Sequence, residues 1–235
     1  MGITLLLCTM KVKLSSTDWL RLGILAFVFV FGITASYHIL KPPPRLPIYN
    51  PSELDRRLVA EELRGVGIKH TALPFKLINQ FGDTITEANV EGKIYIADFF
   101  FTICPDICKD MAVQKRRLQD AMLDESDFVI LSHSVTPVID SVSVMKAYGE
   151  IQGAIEGRWH LLTGDKKHIY DLARKSYFSI FDGGGKGDEA DFIHTENFIL
   201  VDPDKRIRGY YDGTNAEDVD RLMKDYYILK KEYPY

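Results

Sequence analysis

The chain has 235 residues, 46% of them hydrophobic and 26% charged, a balance typical of folded proteins and far from a disordered composition. Its formal net charge is −4, without a long basic run, so it lacks the electrostatic footprint needed to hold a phosphate backbone, and no nucleic acid partner is expected. Only three cysteines occur, which excludes a disulfide-stapled secreted scaffold.

At the start of the chain, Leu5-Leu6-Leu7-Cys8 has the outline of a lipoprotein signal. The stretch before Cys8 is too short, however, lacks a positive start and ends on Leu7 rather than a small residue, so Cys8 is not read as lipidated. Residues 22–40 carry no Asp, Glu, Lys or Arg and, as a helix, span close to ~30 Å, enough to cross a hydrocarbon core. A cleaved signal peptide has a shorter apolar region and a small-x-small site. This segment ends Ser36-Tyr37-His38-Ile39, so an uncleaved transmembrane anchor is expected. Lys11, Lys13 and Arg21 precede it and Lys41 and Arg45 follow it, which puts residues 1–21 in the cytoplasm and the remainder outside. Pro42-Pro43-Pro44-Arg45-Leu46-Pro47 favours an extended stalk, and residues 41–72 are taken as stalk and approach to a domain over 73–235.

Within that domain, residues 73–78 and 84–86 flank a turn at 79–83, as in a hairpin. Residues 94–101 read as a buried central strand, with Asp98 the polar exception. A helix over 105–123 follows, with Pro105 in its first turn. Strands are expected at 128–132 and 159–162, helices at 141–149 and 166–176, a hairpin from 197–201 and 206–210, and a last helix over 216–229. The glycine-rich run 183–187 reads as a mobile loop. Strands alternating with helices and closing on a hairpin indicate an α/β fold with a mixed central sheet flanked by helices.

Cys104-Pro105-Asp106-Ile107-Cys108 sits where the central strand gives way to a helix. The free N–H groups and positive dipole of a helix start lower a cysteine pKa, and Cys104 should feel this most. On a helix, i and i+4 Cβ atoms lie about 5–6 Å apart, wider than a relaxed disulfide prefers, so the pair suits metal clamping better than disulfide closure. Soft thiolates select cuprous ion, and an added imidazole suits copper in both oxidation states.

Of the six histidines, His38 falls in the anchor, His70 in the approach segment, His160 in a strand and His168 on a helix. His133 ends the strand after the cysteine turn and competes with His194, which precedes the final hairpin beside the glycine-rich loop. Spacing alone leaves these two tied.

Phe99-Phe100-Phe101-Thr102-Ile103-Cys104-Pro105-Asp106-Ile107-Cys108-Lys109-Asp110-Met111, together with His194-Thr195 and Phe198-Ile199-Leu200-Val201-Asp202-Pro203, resembles the signatures of Sco/SenC proteins, over residues 73–229. The resemblance implies a thioredoxin-like fold and one copper ion, Cu(I) or Cu(II), held by Cys104, Cys108 and His194, which breaks the tie against His133. It implies a copper chaperone for the dinuclear centre of cytochrome c oxidase, the partner being the copper-receiving subunit or another cuproprotein. Thiol–disulfide exchange on partner cysteines, with Cys104 and Cys108 as the redox pair, is the alternative. Lys109 stands where many members have proline, and Ser132-His133-Ser134-Val135-Thr136-Pro137 replaces a common Ser-Val-Asp-Pro loop; both bear on partner choice. The lack of an Arg-rich, acid-poor leader favours a bacterial inner membrane, with the domain facing the periplasm, over a mitochondrial inner membrane.

Overall fold

The computed structural model describes residues 15–67, 69–104, 107–179 and 196–234. The chain divides into two compact units, residues 1–44 and 45–235. The first holds helix α1 (Ser16–Leu40), opened by a capping box in which Ser15 accepts from the Asp18 N–H and Asp18 accepts from the Ser15 N–H. None of its residues is buried, and Phe27, Phe29 and Phe31 all face outward. It is the one described helix long and apolar enough to cross a membrane.

The second unit is built on a five-stranded sheet in the order β5-β4-β3-β6-β7. Its strands are β3 (Ile94–Phe100), β4 (Phe128–Ser134), β5 (Trp159–Leu162), β6 (Asn197–Val201) and β7 (Ile207–Asp212), and a separate hairpin pairs β1 (Lys76–Ile78) with β2 (Thr84–Thr86). β3, β4 and β5 run parallel, while β6 pairs antiparallel with β3 and β7 with β6. The sheet is therefore mixed, as the sequence pattern requires, and β3 lies at its centre. Parallel strands need crossovers, supplied here by α2 (Ile107–Ala121) and α3 (Val142–Gln152). Every residue of β3 and β4 is buried, which matches their near-continuous apolar sequence.

Alternation along β3 assigns its two faces. Asp98 and Phe100 meet Lys115 on α2; Tyr95 and Phe99 meet Tyr177. Tyr177 follows α4 (Lys166–Asp171) and a π-helical turn, Leu172–Ser176, where the sequence predicts one continuous helix. The final helix α5 (Ala216–Glu232) is capped by Asn215 and packs beside α2 and β7.

The β1–β2 hairpin closes the β5 edge, which would otherwise invite foreign strands. Ile78 and Thr163 exchange backbone hydrogen bonds, and Gln80 donates to the Trp159 carbonyl and accepts from the Leu161 N–H, both at 2.8 Å. Residues 45–72, an approach segment by sequence, lie within the same compact unit as the sheet. The reason is packing: Val59 and Ala72 are core residues, Leu46, Tyr49, Leu54, Leu58 and Leu63 pack against that core, and the Tyr49 N–H donates to the Ile207 carbonyl.

Candidate metal centre

The site begins where β3 runs out. Phe101 follows the last residue of the strand, and the Cys104 N–H turns back to donate to the Phe101 carbonyl at 3.3 Å. Thr102 is pinned from the side: its hydroxyl donates to Asp140 at 2.5 Å and its N–H to the same carboxylate at 3.3 Å. Asp140 is fully buried and also accepts from Ser134 and Thr136, so one carboxylate ties the cysteine turn to the loop after β4. Pro105 and Asp106, the expected helix start, lie outside the described residues.

Cys104 and Cys108 are both free and both buried, at 6% and 4% exposure. The Cys104 side chain and the backbone of Phe101 lie close enough to Cys108 to act on its thiol. The structure thus gathers the two sulfurs that the sequence singled out. Burial pushes the Cys108 thiol up to about 12, Cys104 adding to it, against the opposing pull of the Phe101 backbone and Lys115. This corrects, for Cys108, the expectation of a lowered pKa: desolvation outweighs the field of the helix start. The Cys108 thiol keeps its proton until something replaces that charge, and a soft cation bonded to the sulfur does that.

Behind the cysteines stands a buried polar network that the sequence reading did not single out. Lys115 Nζ donates to Asp98 Oδ2 at 2.6 Å and to Ser132 Oγ at 3.2 Å. Ser132 donates to Asp98 Oδ1 at 2.5 Å, and the Trp159 indole N–H donates to Ser132 at 2.9 Å. Lys115 also lies 5.1 Å from the ring centres of both Phe100 and Trp159. Tyr148 packs its ring on Phe100 at 5.5 Å, and burial raises its pKa.

His133 is fully buried, but not as a partner of the sulfurs. Its Nδ1 donates to the Asp98 carbonyl at 3.1 Å and its ring stacks on Phe99 at 5.0 Å. Burial lowers its pKa to about 4, and Nε2 has no hydrogen-bond partner among the described residues. His70 is turned to the Ser176 carbonyl, and His168 accepts from the Lys76 N–H. His38 is exposed on α1, and His160 sits on β5 with no hydrogen-bond partner for Nδ1 among the described residues. His194 and the glycine-rich run 183–187 lie outside the described residues, as does Cys8. Among the described residues, no group of three or more His, Cys, Asp or Glu is placed to hold a metal ion. The structure thus describes two of the three residues that the sequence resemblance implies as ligands.

Comparison with known proteins places this arrangement. The model of the SCO1/SenC family matches residues 66–226. The SCO1 protein homolog of Bacillus subtilis is 30% identical over 154 residues, covering 65% of this chain and 79% of that protein. Among solved structures, BsSco, described as a member of the Sco family of cytochrome c oxidase assembly proteins with a disulfide switch, is 29% identical with a TM-score of 0.58, over 69% of this chain and 94% of that one. ScoI of Arabidopsis thaliana, solved with copper bound, is 28% identical with a TM-score of 0.53, over 69% of this chain and 99% of that one. The mixed sheet flanked by helices is thus a thioredoxin-like fold, as the sequence resemblance implies. With the family model spanning most of the second unit and its cysteine turn, the chain belongs to the SCO1/SenC family.

Proposed function

We propose that this chain is a membrane-anchored copper carrier that takes one copper ion per domain through Cys104, Cys108 and His194 and delivers it during assembly of the dinuclear copper centre of cytochrome c oxidase. The observation that carries the reading is the pair of free, buried cysteines just past the end of the central strand, in a family with a copper-bound relative. Copper is cargo here. The protein's part is to hold two soft donors in a dry pocket, so that the ion is shielded from water until a partner offers competing ligands. Residues 22–40 serve as the anchor, residues 1–21 as a cytoplasmic tail, and the domain faces the periplasm of a bacterial inner membrane, a mitochondrial inner membrane being the other setting. The recipient is the copper-receiving oxidase subunit or another cuproprotein.

Titration of the full-length protein with Cu(I) against a competing chelator tests this. One ion per chain is expected, with affinity collapsing in Cys104→Ser and Cys108→Ser and falling in His194→Ala. Affinity indifferent to all three substitutions would overturn it.

The closeness of the two cysteine side chains also supports a second reading, thiol–disulfide exchange. In it, the dithiol reduces a partner's disulfide to two thiols and itself closes as Cys104–Cys108, the two protons and two electrons passing to the partner. Insulin reduction that survives His194→Ala would favour this over copper carriage; inertness toward disulfides would remove it.

A further inference from the structure

Lys115 lies seven residues beyond Cys108 on α2, and the buried residues Cys108, Met111, Ala112, Lys115, Leu118 and Gln119 form one stripe of the helix. Its ammonium is fully buried against an equally buried Asp98. Such a pair is a poor source of stability, because desolvating two charges costs roughly what their attraction returns, and apolar residues of similar shape do as well. Its placement suggests another role. Two helical turns separate the backbones by about 10 Å, but helical side chains lean toward the N-terminus and a lysine stem covers much of that distance. The remaining contacts agree: Lys115 Nζ sits over the ring of Phe100, the last residue of the strand that opens into the cysteine turn, and Tyr148 packs on the same ring.

We propose that Lys115, oriented by Asp98 and Ser132, is a positioning residue that holds a fixed positive charge beside the Cys108 side of the copper site and so favours cuprous over cupric ion. This rests on the reading of Cys104 and Cys108 as copper ligands. The charge count gives the selectivity. Two thiolates with Cu(I) carry one net negative charge, which a neighbouring ammonium stabilises, whereas two thiolates with Cu(II) are neutral and gain little. Asp98 supplies orientation: its two oxygens take Lys115 and Ser132 separately, and Trp159 fixes Ser132, so the ammonium is held without freedom to turn away.

The test uses the full-length protein in detergent, with near-ultraviolet circular dichroism of the buried tryptophan as the check on folding. In Asp98→Asn/Lys115→Met, Cu(I) affinity by chelator competition is expected to fall about tenfold, the effect of one pKa unit's worth of charge interaction, with Cu(II) affinity changing less. Lys115→Arg is expected to restore Cu(I) affinity. On metal-free protein, alkylation of the cysteines by iodoacetamide at fixed pH is expected to slow in the double variant and recover in Lys115→Arg. If the double variant does not fold, Lys115→Gln alone decides: it removes the ammonium, and Asp98 can take up a proton in its place, so Cu(I) affinity and alkylation rate are expected to fall below wild type. Unchanged Cu(I) affinity in a folded double variant, equal losses for both copper ions, or no fall in Lys115→Gln would overturn the proposal. Wild-type protein that binds no copper at its cysteines would sink the functional reading instead, while the alkylation arm would still decide the role of Lys115.

Discussion

At the scale of the residue, the buried thiol of Cys108 makes copper uptake a proton exchange. With its pKa pushed up to about 12 by burial, Cys108 carries its proton throughout the neutral range, and binding a metal must release it. Apparent Cu(I) affinity is therefore expected to rise by at least about tenfold per pH unit between pH 6 and 8, with one or more protons released per ion. Chelator competition at several pH values reads the slope, and a flat profile would show that Cys108 is not a ligand. His133 acts in the opposite sense, on stability. Burial holds its pKa near 4 in the folded protein, while in the unfolded chain it takes up a proton below ~6.5. The unfolded state binds more protons in that window, so stability is full above pH ~6.5 and declines as pH falls toward 4, by about 3 kcal/mol. Denaturant unfolding at a series of pH values should show this slope, and His133→Gln should flatten it. A variant with the wild-type slope would assign the acid sensitivity to other groups.

At the scale of the element, the cysteine turn owes its position to a loop from the next crossover. Asp140 accepts hydrogen bonds from Thr102, Ser134 and Thr136, and hydrogen bonds to a charged group are worth ~1.5–3 kcal/mol each. Asp140→Ala is expected to cost about 3 kcal/mol or more by leaving buried donors unpaired, and to speed hydrogen exchange of the Thr102 and Cys104 amides. Asp140→Asn, which keeps an acceptor, should lose less. Equal exchange rates in wild type and Asp140→Ala would show that the turn stands without the latch. The strands and helices around this turn were legible because they follow apolar runs and helical spacing; β5 matches its expected range to the residue. The supports were not. Lys115 opens the run Lys115-Arg116-Arg117, which looks like a solvated face. The available signal was a pairing of patterns: a carboxylate inside an apolar strand needs a cation, and spacing by three and four from Cys108 puts Lys115 on the buried stripe. Asp140 follows Thr136-Pro137-Val138-Ile139 in a loop, where no periodicity marks a side chain as buried. His194 was separable from His133 only by resemblance, because a strand-end histidine and a loop histidine look alike in a single sequence. Among the described residues His133 is not grouped with the two cysteines; its Nδ1 donates to the Asp98 carbonyl and its ring stacks on Phe99.

At the scale of the whole molecule, the second unit is closed by joining its first residues to its last helix. Arg208 on β7 is 2% exposed and donates to the carbonyls of Leu46 and Pro47, to Asp202 and to Glu232. Glu232 on α5 in turn accepts from the Leu46 N–H at 2.9 Å. A proline-rich segment that reads as stalk is thereby fastened at residue 46, immediately past the boundary between the two units. The proline run made residues 41–47 look independent of the domain, since proline lacks a ladder donor; the carbonyls of Leu46 and Pro47 are what Arg208 uses. A protein beginning at Arg45 is expected to fold and melt cooperatively. One beginning at Leu73 removes Val59, His70 and Ala72 from the buried interior and strips two carbonyl acceptors from a buried guanidinium, hydrogen bonds to a charged group being worth ~1.5–3 kcal/mol each. That loss is a large share of the ~5–15 kcal/mol by which domains are stable, so the shorter protein is expected to melt far lower or to aggregate. Glu232→Ala in the longer protein should fall between them, because Arg208 retains Asp202. If thermal unfolding of the Leu73 protein matched that of the Arg45 protein, residues 45–72 would be a tether lying on the domain and not a part of its fold.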